Sequence, residues 1–369
     1  MMTRPSKITV TGSPQVRVRV LPPALEGNTF LTSLNGGLEQ YGIDLQPFDY
    51  RSVLRGVLRG ERCCEIIHIH FLLFYFERDW RKLVVPSAKF CLTLALAKLQ
   101  GYRIIWHAHN LMLPEGAHSQ LERQTRQFLI DCCDRVVALS RHTAQQLQET
   151  YRCDPSKITV IPHGHYLTDY PNNQGRAECR RQLGLGTAEV VFLFFGRIES
   201  YKGVPDLIQS FRALATDRPI RLVIAGKCNQ PELLAEIKAA MDDDPRIRLE
   251  ARLIPNAEIQ VYMNSADYVV LPYRQIHNSG AAVLAFSFGK KIIAPALGTF
   301  TDLVQDLQDQ EPLAWLYAPQ DPQGLTNALA ETARLGPQPQ PYYSPNLLEK
   351  YDWTTIQRRL VETYQAVLR

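Results

Sequence analysis

The stretch FFGRIESYKGVPDLIQSF, residues 194–211, decides how this chain is read. It opens as an apolar run suited to a buried strand, crosses a short loop carrying Arg197 and Lys202, and continues as a helix. Pro205 in the first turn and Asp206 just inside it mark where that helix starts. A buried strand feeding a helix through a short loop is the repeating unit of a parallel sheet. The two cations stand at the mouth of the loop, beside a helix N-terminus whose unpaired amides and positive dipole end attract anions. Two solvated loop cations are the plainer explanation, and the rest of the chain weighs against it.

Working outward, short apolar runs alternate with helical patterns along most of the chain. Strands are predicted near Val16–Val20, Ile43–Phe48, Glu65–His70, Tyr102–His107, Arg135–Leu139 and Ile158–Ile161, then Val190–Phe195, Arg221–Ala225, Ile247–Glu250, Tyr268–Leu271 and Lys291–Ala294. The alternation breaks once, in the polar, turn-rich stretch 165–190, where no strand pattern is found and a domain boundary is placed. The expected fold class is α/β, with two Rossmann-like, doubly wound parallel-sheet domains: residues 1–170, then 171–350, with 351–369 as a helix returning to the first domain. That helix carries Trp353, Ile356, Leu360, Tyr364 and Leu368 at helical spacing. Two such domains leave an interdomain cleft at the carboxyl ends of their strands, where ligands bind.

A second strand–loop–helix stands at LPYRQIHNSGAAVLAFSFGKKIIAP, residues 271–295. Asn278, Ser279 and Gly280 fall where its helix begins, so free amides meet small side chains there and a phosphate can approach. Ordinary capping by Asn278 or Ser279 is compatible with the same use. Two cations and a helix N-terminus suffice to stabilise the charge that develops on a departing diphosphate. No Asp-x-Asp stands at a strand end of the first half, and the acidic MDDDP (241–245) sits at a helix end; no metal and no cofactor are expected.

The totals set outer limits. The 369 residues suit two domains, and 45% hydrophobic with 21% charged content is that of a folded globular chain. A net charge of +4 is too mild for a nucleic-acid partner, but compatible with an anionic small ligand or an acidic membrane surface. Eight Cys without a C-x-x-C or a Cys/His cluster at zinc spacing read as reduced, buried thiols. The N-terminus has no signal-like apolar segment and no run of 18 or more apolar residues occurs, so a cytoplasmic location is expected.

With these residues in hand, FGRIESYKGVPDLIQSF resembles the donor-diphosphate segment of GT-B glycosyltransferases, particularly retaining glycosyltransferase family 4. WHAHNLMLP (106–114), VVALSRHTAQQL (136–147) and ITVIPHGHY (158–166) are similar to that family's first domain and stand in its order. The resemblance implies a metal-independent, retaining hexosyltransferase. Such an enzyme moves a sugar from a UDP- or GDP-linked donor to a saccharide or glycolipid acceptor, as in bacterial polysaccharide and glycolipid mannosyl- or glucuronosyl-type transferases. It places Arg197 and Lys202 on the diphosphate and His109 beside the transferred sugar, where an imidazole can bond sugar hydroxyls or move a proton. His107 is assigned to the sheet instead. The family's two donor-binding Glu positions align here with Ile276 and Leu284, so Tyr273, Arg274, Gln275, His277 or Asn278 would have to hold the donor, with Ser279 and Gly280.

Acceptor or cleft residues are sought in the first domain: Gly27 and Asn28 before a helix, Asn110 next to His109, and His163. Arg51, Arg55, Arg59 and Arg62 recur at helical spacing beside Val53, Leu54, Val57 and Leu58, a pattern that fits peripheral contact with an anionic inner membrane face or simply a solvated one. FLLFYFERDWRKLVVP (71–86) suits either a lipid-acceptor groove or core. Two alternatives stand beside the transferase. A sugar-nucleotide epimerase on this fold needs cleft carboxylates, and Ile276 and Leu284 speak against them. A catalytically degenerate GT-B protein, binding a nucleotide-sugar or a partner enzyme, would account for those apolar residues, but need not keep Arg197, Lys202 and His109 together.

Overall fold

The computed structural model describes residues 16–22, 29–72, 81–109, 111, 119–276, 278–307, 312–338 and 340–369, without the side chains of Val57, Arg81 and Lys82. Gly27, Asn28, Asn110 and His277 lie outside the described residues, as does most of the 71–86 stretch. The chain divides into two compact units, residues 1–164 with 353–369, and residues 165–352.

Unit 1 carries β1 (Val16–Leu21), α1 (Thr29–Asn35), β2 (Ile43–Pro47), α2 (Tyr50–Arg59), β3 (Ile66–Ile69), α3 (Arg81–Leu99), β4 (Arg103–Ala108), α4 (Ser119–Cys132), β5 (Arg135–Ala138), α5 (Arg141–Tyr151) and β6 (Ile158–Val160). The six strands run parallel in the order β2-β1-β3-β4-β5-β6. Strand alternation divides the core between the two faces. Ile67, Ile69, Ile104 and Trp106 pack on one face, Ile66, Ile105 and Val18 on the other.

Unit 2 follows with α6 (Arg176–Gln182), β7 (Val190–Phe195), α7 (Val204–Arg212), β8 (Ile220–Ala225), α8 (Pro231–Met241), β9 (Ile247–Glu250), α9 (Ile259–Ser265), β10 (Tyr268–Val270), α10 (Gly280–Ser287), β11 (Lys291–Pro295), α11 (Gly298–Leu307), β12 (Ala314–Tyr317), α12 (Gly324–Leu335) and α13 (Pro345–Lys350). Its sheet is parallel in the order β12-β11-β10-β7-β8-β9. β7 is buried along its whole length, as a central strand covered on both faces must be.

The polar stretch 165–190 contains α6, which is pinned to unit 2 by charge in addition to the buried Cys179 and Leu183. Asp267, just before β10, is fully buried and pairs with both Arg176 and Arg180. Its carboxylate also accepts from the amides of Val191 (2.7 Å) and Gln338 (2.8 Å). Arg180, itself buried, donates further to the carbonyls of Ser265, Gly186, Thr187 and Glu189. A buried charge is tolerated only when its bonding capacity is filled in this way.

The last helix, α14 (Trp353–Leu368), groups with unit 1. Trp353, Ile356, Leu360 and Tyr364 are buried as expected, but Val367 takes the final inward position and Leu368 is exposed, because the stripe drifts as 3.6 residues per turn accumulate. Gln357 on this helix donates to the Ser33 carbonyl (2.8 Å) and to that of Gly36, satisfying the open end of α1.

Candidate active site

In an open parallel sheet, ligands gather at the carboxyl ends of strands where the strand order reverses. In unit 2 the chain runs β7, β8, β9 to one side and places β10 on the other side of β7, so the reversal lies between β7 and β10. The two loops leaving those strands are 196–203 and 271–279, the two stretches singled out in the sequence.

Backbone contacts bring the loops together. The Arg274 amide donates to the Tyr201 carbonyl at 2.8 Å, and the Ile198 amide to the Lys227 carbonyl at 2.9 Å. Gly203 has a left-handed φ of 65°, and a Cβ there would stand 2.2 Å from the Pro272 carbonyl oxygen. Gly226, after β8, would put a Cβ 1.9 Å from the Gly196 carbonyl oxygen. Only glycine permits either approach.

Lys202 is the central group. Its Nζ lies 5.5 Å from the Tyr273 ring centre and 5.9 Å from that of Tyr201. Burial lowers its pKa to about 8, Glu199 opposing and Arg197 adding to the shift. Among the described residues it has no hydrogen-bonding or ion-pair partner at contact distance. Arg197 is exposed, with only a loose approach of 3.9 Å to Glu199. Burial pushes the Tyr273 hydroxyl up, with Ser279 opposing the shift, and Ser279 Oγ caps α10 by accepting from the Ala282 amide at 3.1 Å. Capping thus uses Ser279 Oγ, while the first amides of α10 have no partner within the helix.

Arg274 is placed differently from a ligand-seeking cation. Its guanidinium forks onto Asp206 at 2.8 and 2.7 Å, tying the second loop to the first turn of α7. Ile276 and Leu284 are both buried and apolar.

In unit 1, His109 follows β4 and its amide turns back onto the His107 carbonyl at 3.0 Å. Its ring stacks on Phe71 (4.3 Å) and on His107 (4.6 Å), meets the edge of Phe30 (4.8 Å), and its Nε2 lies 3.1 Å from His70 Nδ1. The assignment of His107 to the sheet, apart from His109, is therefore corrected. Positions two apart on a strand share a face, and His68, His70 and His107 all project beside His109 toward Phe30 and Tyr364. Burial holds these rings neutral: His68 is pushed down to about 3, the other three well below the usual imidazole range. His163 packs on Phe30 at 4.6 Å, its Nδ1 lies 2.7 Å from the Gly164 carbonyl oxygen, and burial lowers it to about 4.

Residues 83–168 match the family model described as Glycosyltransferase Family 4, and residues 189–334 match the model described as Glycosyl transferases group 1. The chain belongs to the GT-B glycosyltransferases. Among its relatives, the D-inositol 3-phosphate glycosyltransferase of Mycobacterium sp. (strain KMS) is 29% identical over 82% of this chain and 67% of its own length. The GDP-mannose:glycolipid 4-beta-D-mannosyltransferase of Xanthomonas campestris pv. campestris is 25% identical over 82% of this chain and 80% of its own. The crystal structure of Anabaena Alr3699/HepE in complex with UDP superposes with a TM-score of 0.69 at 16% identity, over 95% of this chain and all of that one.

Sequence reasoning did not single out Tyr201, which flanks the Lys202 ammonium with Tyr273, nor the part His70 plays beside His109 in this glycosyltransferase. A signal for the second existed: H-x-H occurs at 68–70 and again at 107–109, and adjacent parallel strands bring the two pairs together.

Proposed function

We propose that unit 2 binds the diphosphate of a UDP- or GDP-linked sugar and that the protein transfers the sugar to a saccharide or lipid-linked saccharide, with retention and without a divalent ion on the diphosphate. One observation carries this reading: Lys202 is a half-buried, desolvated ammonium without a counter-ion at contact distance among the described residues, at the sheet's reversal point and beside Tyr273 of the loop that leads into α10. A desolvated cation without a partner is costly unless a ligand supplies the anion. The relatives support the donor class: one is named for GDP-mannose, and HepE is bound to UDP.

As the bond from the anomeric carbon to the diphosphate oxygen breaks, charge grows on the β-phosphate. Lys202, Arg197 and the first amides of α10 stabilise that charge more as it develops than before. The same groups supply the positive charge that a divalent ion would otherwise bring. The acceptor oxygen bonds the anomeric carbon and its proton passes to the departing phosphate. A buried imidazole held well below the usual range is a weak base, so His109 serves as a hydrogen-bonding partner of the sugar. Retention is proposed from the resemblance of the sequence to family 4 alone.

Incubation with UDP- and GDP-hexoses tests the reading, since a transferase slowly releases free nucleotide from its true donor even without acceptor. His109→Ala is expected to lower kcat about 10²-fold with donor Kd changed less than about threefold. A loss confined to Kd would make His109 a binding residue only, and no nucleotide release from any donor would remove the assignment.

We further propose peripheral contact with an anionic membrane through α2 and α3. Arg51, Arg55 and Arg59 are exposed on α2 together with Leu58, while α3 exposes Val85 and Leu92. No described helix is long and apolar enough to cross a membrane. Cosedimentation with vesicles containing phosphatidylglycerol is expected to fall severalfold in Arg51→Glu/Arg55→Glu, and in 0.5 M salt. Binding equal to that of neutral vesicles would rule the surface out.

A further inference from the structure

Unit 1 buries a group of imidazoles whose hydrogen-bonding capacity is not filled. His68 and His70 leave one face of β3, and His107 leaves the same face of β4 alongside. One ring nitrogen from each lies within 4.8 Å of the other two. The three residues are 0%, 2% and 1% exposed. Among the described residues, Nε2 of His68, Nε2 of His70 and both ring nitrogens of His107 have no hydrogen-bond partner. Each orphaned buried polar atom costs about 1–3 kcal/mol, so several on adjoining rings call for a common partner.

We propose that His68, His70 and His107 form a binding site for a divalent transition-metal ion of the zinc class. The donor set decides the class. Three neutral imidazoles suit Zn²⁺, Co²⁺, Ni²⁺ or Cu²⁺, whereas Mg²⁺, Mn²⁺ and Ca²⁺ seek oxygen ligands. The outer nitrogens are already held as ligating histidines require. His68 Nδ1 meets the Tyr364 hydroxyl at 2.7 Å, and His70 Nδ1 meets His109 Nε2 at 3.1 Å. With Nδ1–H donating outward on both rings, each Nε2 keeps its lone pair for a ligand. Tetrahedral zinc with Zn–N of about 2.0–2.1 Å needs ligand nitrogens about 3.4 Å apart, so the rings draw together from their present spacing of up to 4.8 Å when the ion binds.

The site's three residues belong to unit 1 and the diphosphate groups to unit 2, and it does not depend on the role given to His109. It departs from the expectation of no metal, because ligands on two strands have no spacing signature of their own. An ion there fixes the orientation of His70 and, through it, of His109.

The untagged full chain, stripped with 1,10-phenanthroline and dialysed, is titrated with Co²⁺. The expected result is one equivalent bound, with visible d–d bands of a four-coordinate ion, displaced by one equivalent of Zn²⁺. X-ray absorption of the cobalt form should show an imidazole-nitrogen shell; this readout needs no variant. His68→Phe and His107→Phe, each keeping an aromatic ring in the stack, should weaken binding more than about tenfold while melting cooperatively. No stoichiometric uptake by the wild type, or an absorption shell without imidazole, would overturn the site and leave a buried water as the partner of these nitrogens. Unchanged binding in both folded variants would overturn it equally.

Discussion

Lys202→Ala and Arg197→Ala are each expected to lower turnover by about 10²–10³-fold while leaving the melting temperature nearly unchanged. The reason lies in what each side chain touches. Arg197 is exposed and, among the described residues, engages only Glu199 at 3.9 Å, so its removal breaks no structural contact of consequence there. Lys202 is half-buried beside Tyr201 and Tyr273, and its charged form is penalised by desolvation, so losing it relieves the fold of a desolvated charge. The sign of its pH dependence follows. Its pKa in the free protein is lowered to about 8, so the protonated, anion-binding form is present below pH 8 and lost above it. Nucleoside diphosphate affinity should be level below pH 8 and weaken as pH rises past it, until the pKa of the complex is reached. Kinetics and isothermal titration at pH 7 and 9.5 check both statements. Wild-type turnover in the two variants would contradict the assignment of the loop.

Much of this loop was legible in advance, because strand, cation loop and helix are contiguous in sequence. The apolar run Val190–Phe195, the turn at Gly203 and the helix from Val204 are local features with local causes. The second loop was legible for the same reason, and Ser279 caps α10 where the small residues predicted a helix start. What could not be read was pairing across the chain. Arg274 is of the right type for a phosphate, but Asp206, 68 positions away, takes both arms of its guanidinium. The histidines of β3 and β4 come together only through strand register. The stretch 165–190 looked like a linker because its attachment is a buried charge network, and no hydrophobic period announces one. β12 was missed because each of its four residues is only half-buried, and its flanks are rich in Pro, Gln and Asp.

That charge network gives the largest expected effect on stability. Asp267→Ala should destabilise unit 2 by about 3–5 kcal/mol, since it leaves the guanidinium of Arg180 buried and removes a partner from Arg176. It also strips the amides of Val191 and Gln338 of their acceptor. For a unit of this size the loss corresponds to a fall of about 6–20 °C in melting temperature. Being buried, the interaction should be insensitive to 0.5 M salt. Arg212→Ala is the matched control: its pair with Asp242 is solvent-exposed, and about 1 kcal/mol or less is expected. Thermal and urea melts of both variants decide the matter. A loss below about 1 kcal/mol for Asp267→Ala would mean that α6 is held by its apolar contacts and that the network adds little.

The most direct measurement is a thermal-shift titration of the wild type and Lys202→Ala against UDP, GDP, ADP and their hexose conjugates, with and without EDTA. At one hundred times its Kd, a ligand that binds the folded state should add about 2.7 kcal/mol of stability. The account predicts that UDP or GDP stabilises the wild type, in EDTA as well as without it, and that Lys202→Ala loses most of that gain. A stabilising nucleotide that acts equally on both proteins would place the diphosphate away from Lys202. The absence of any shift with every nucleotide would contradict the proposed donor site outright.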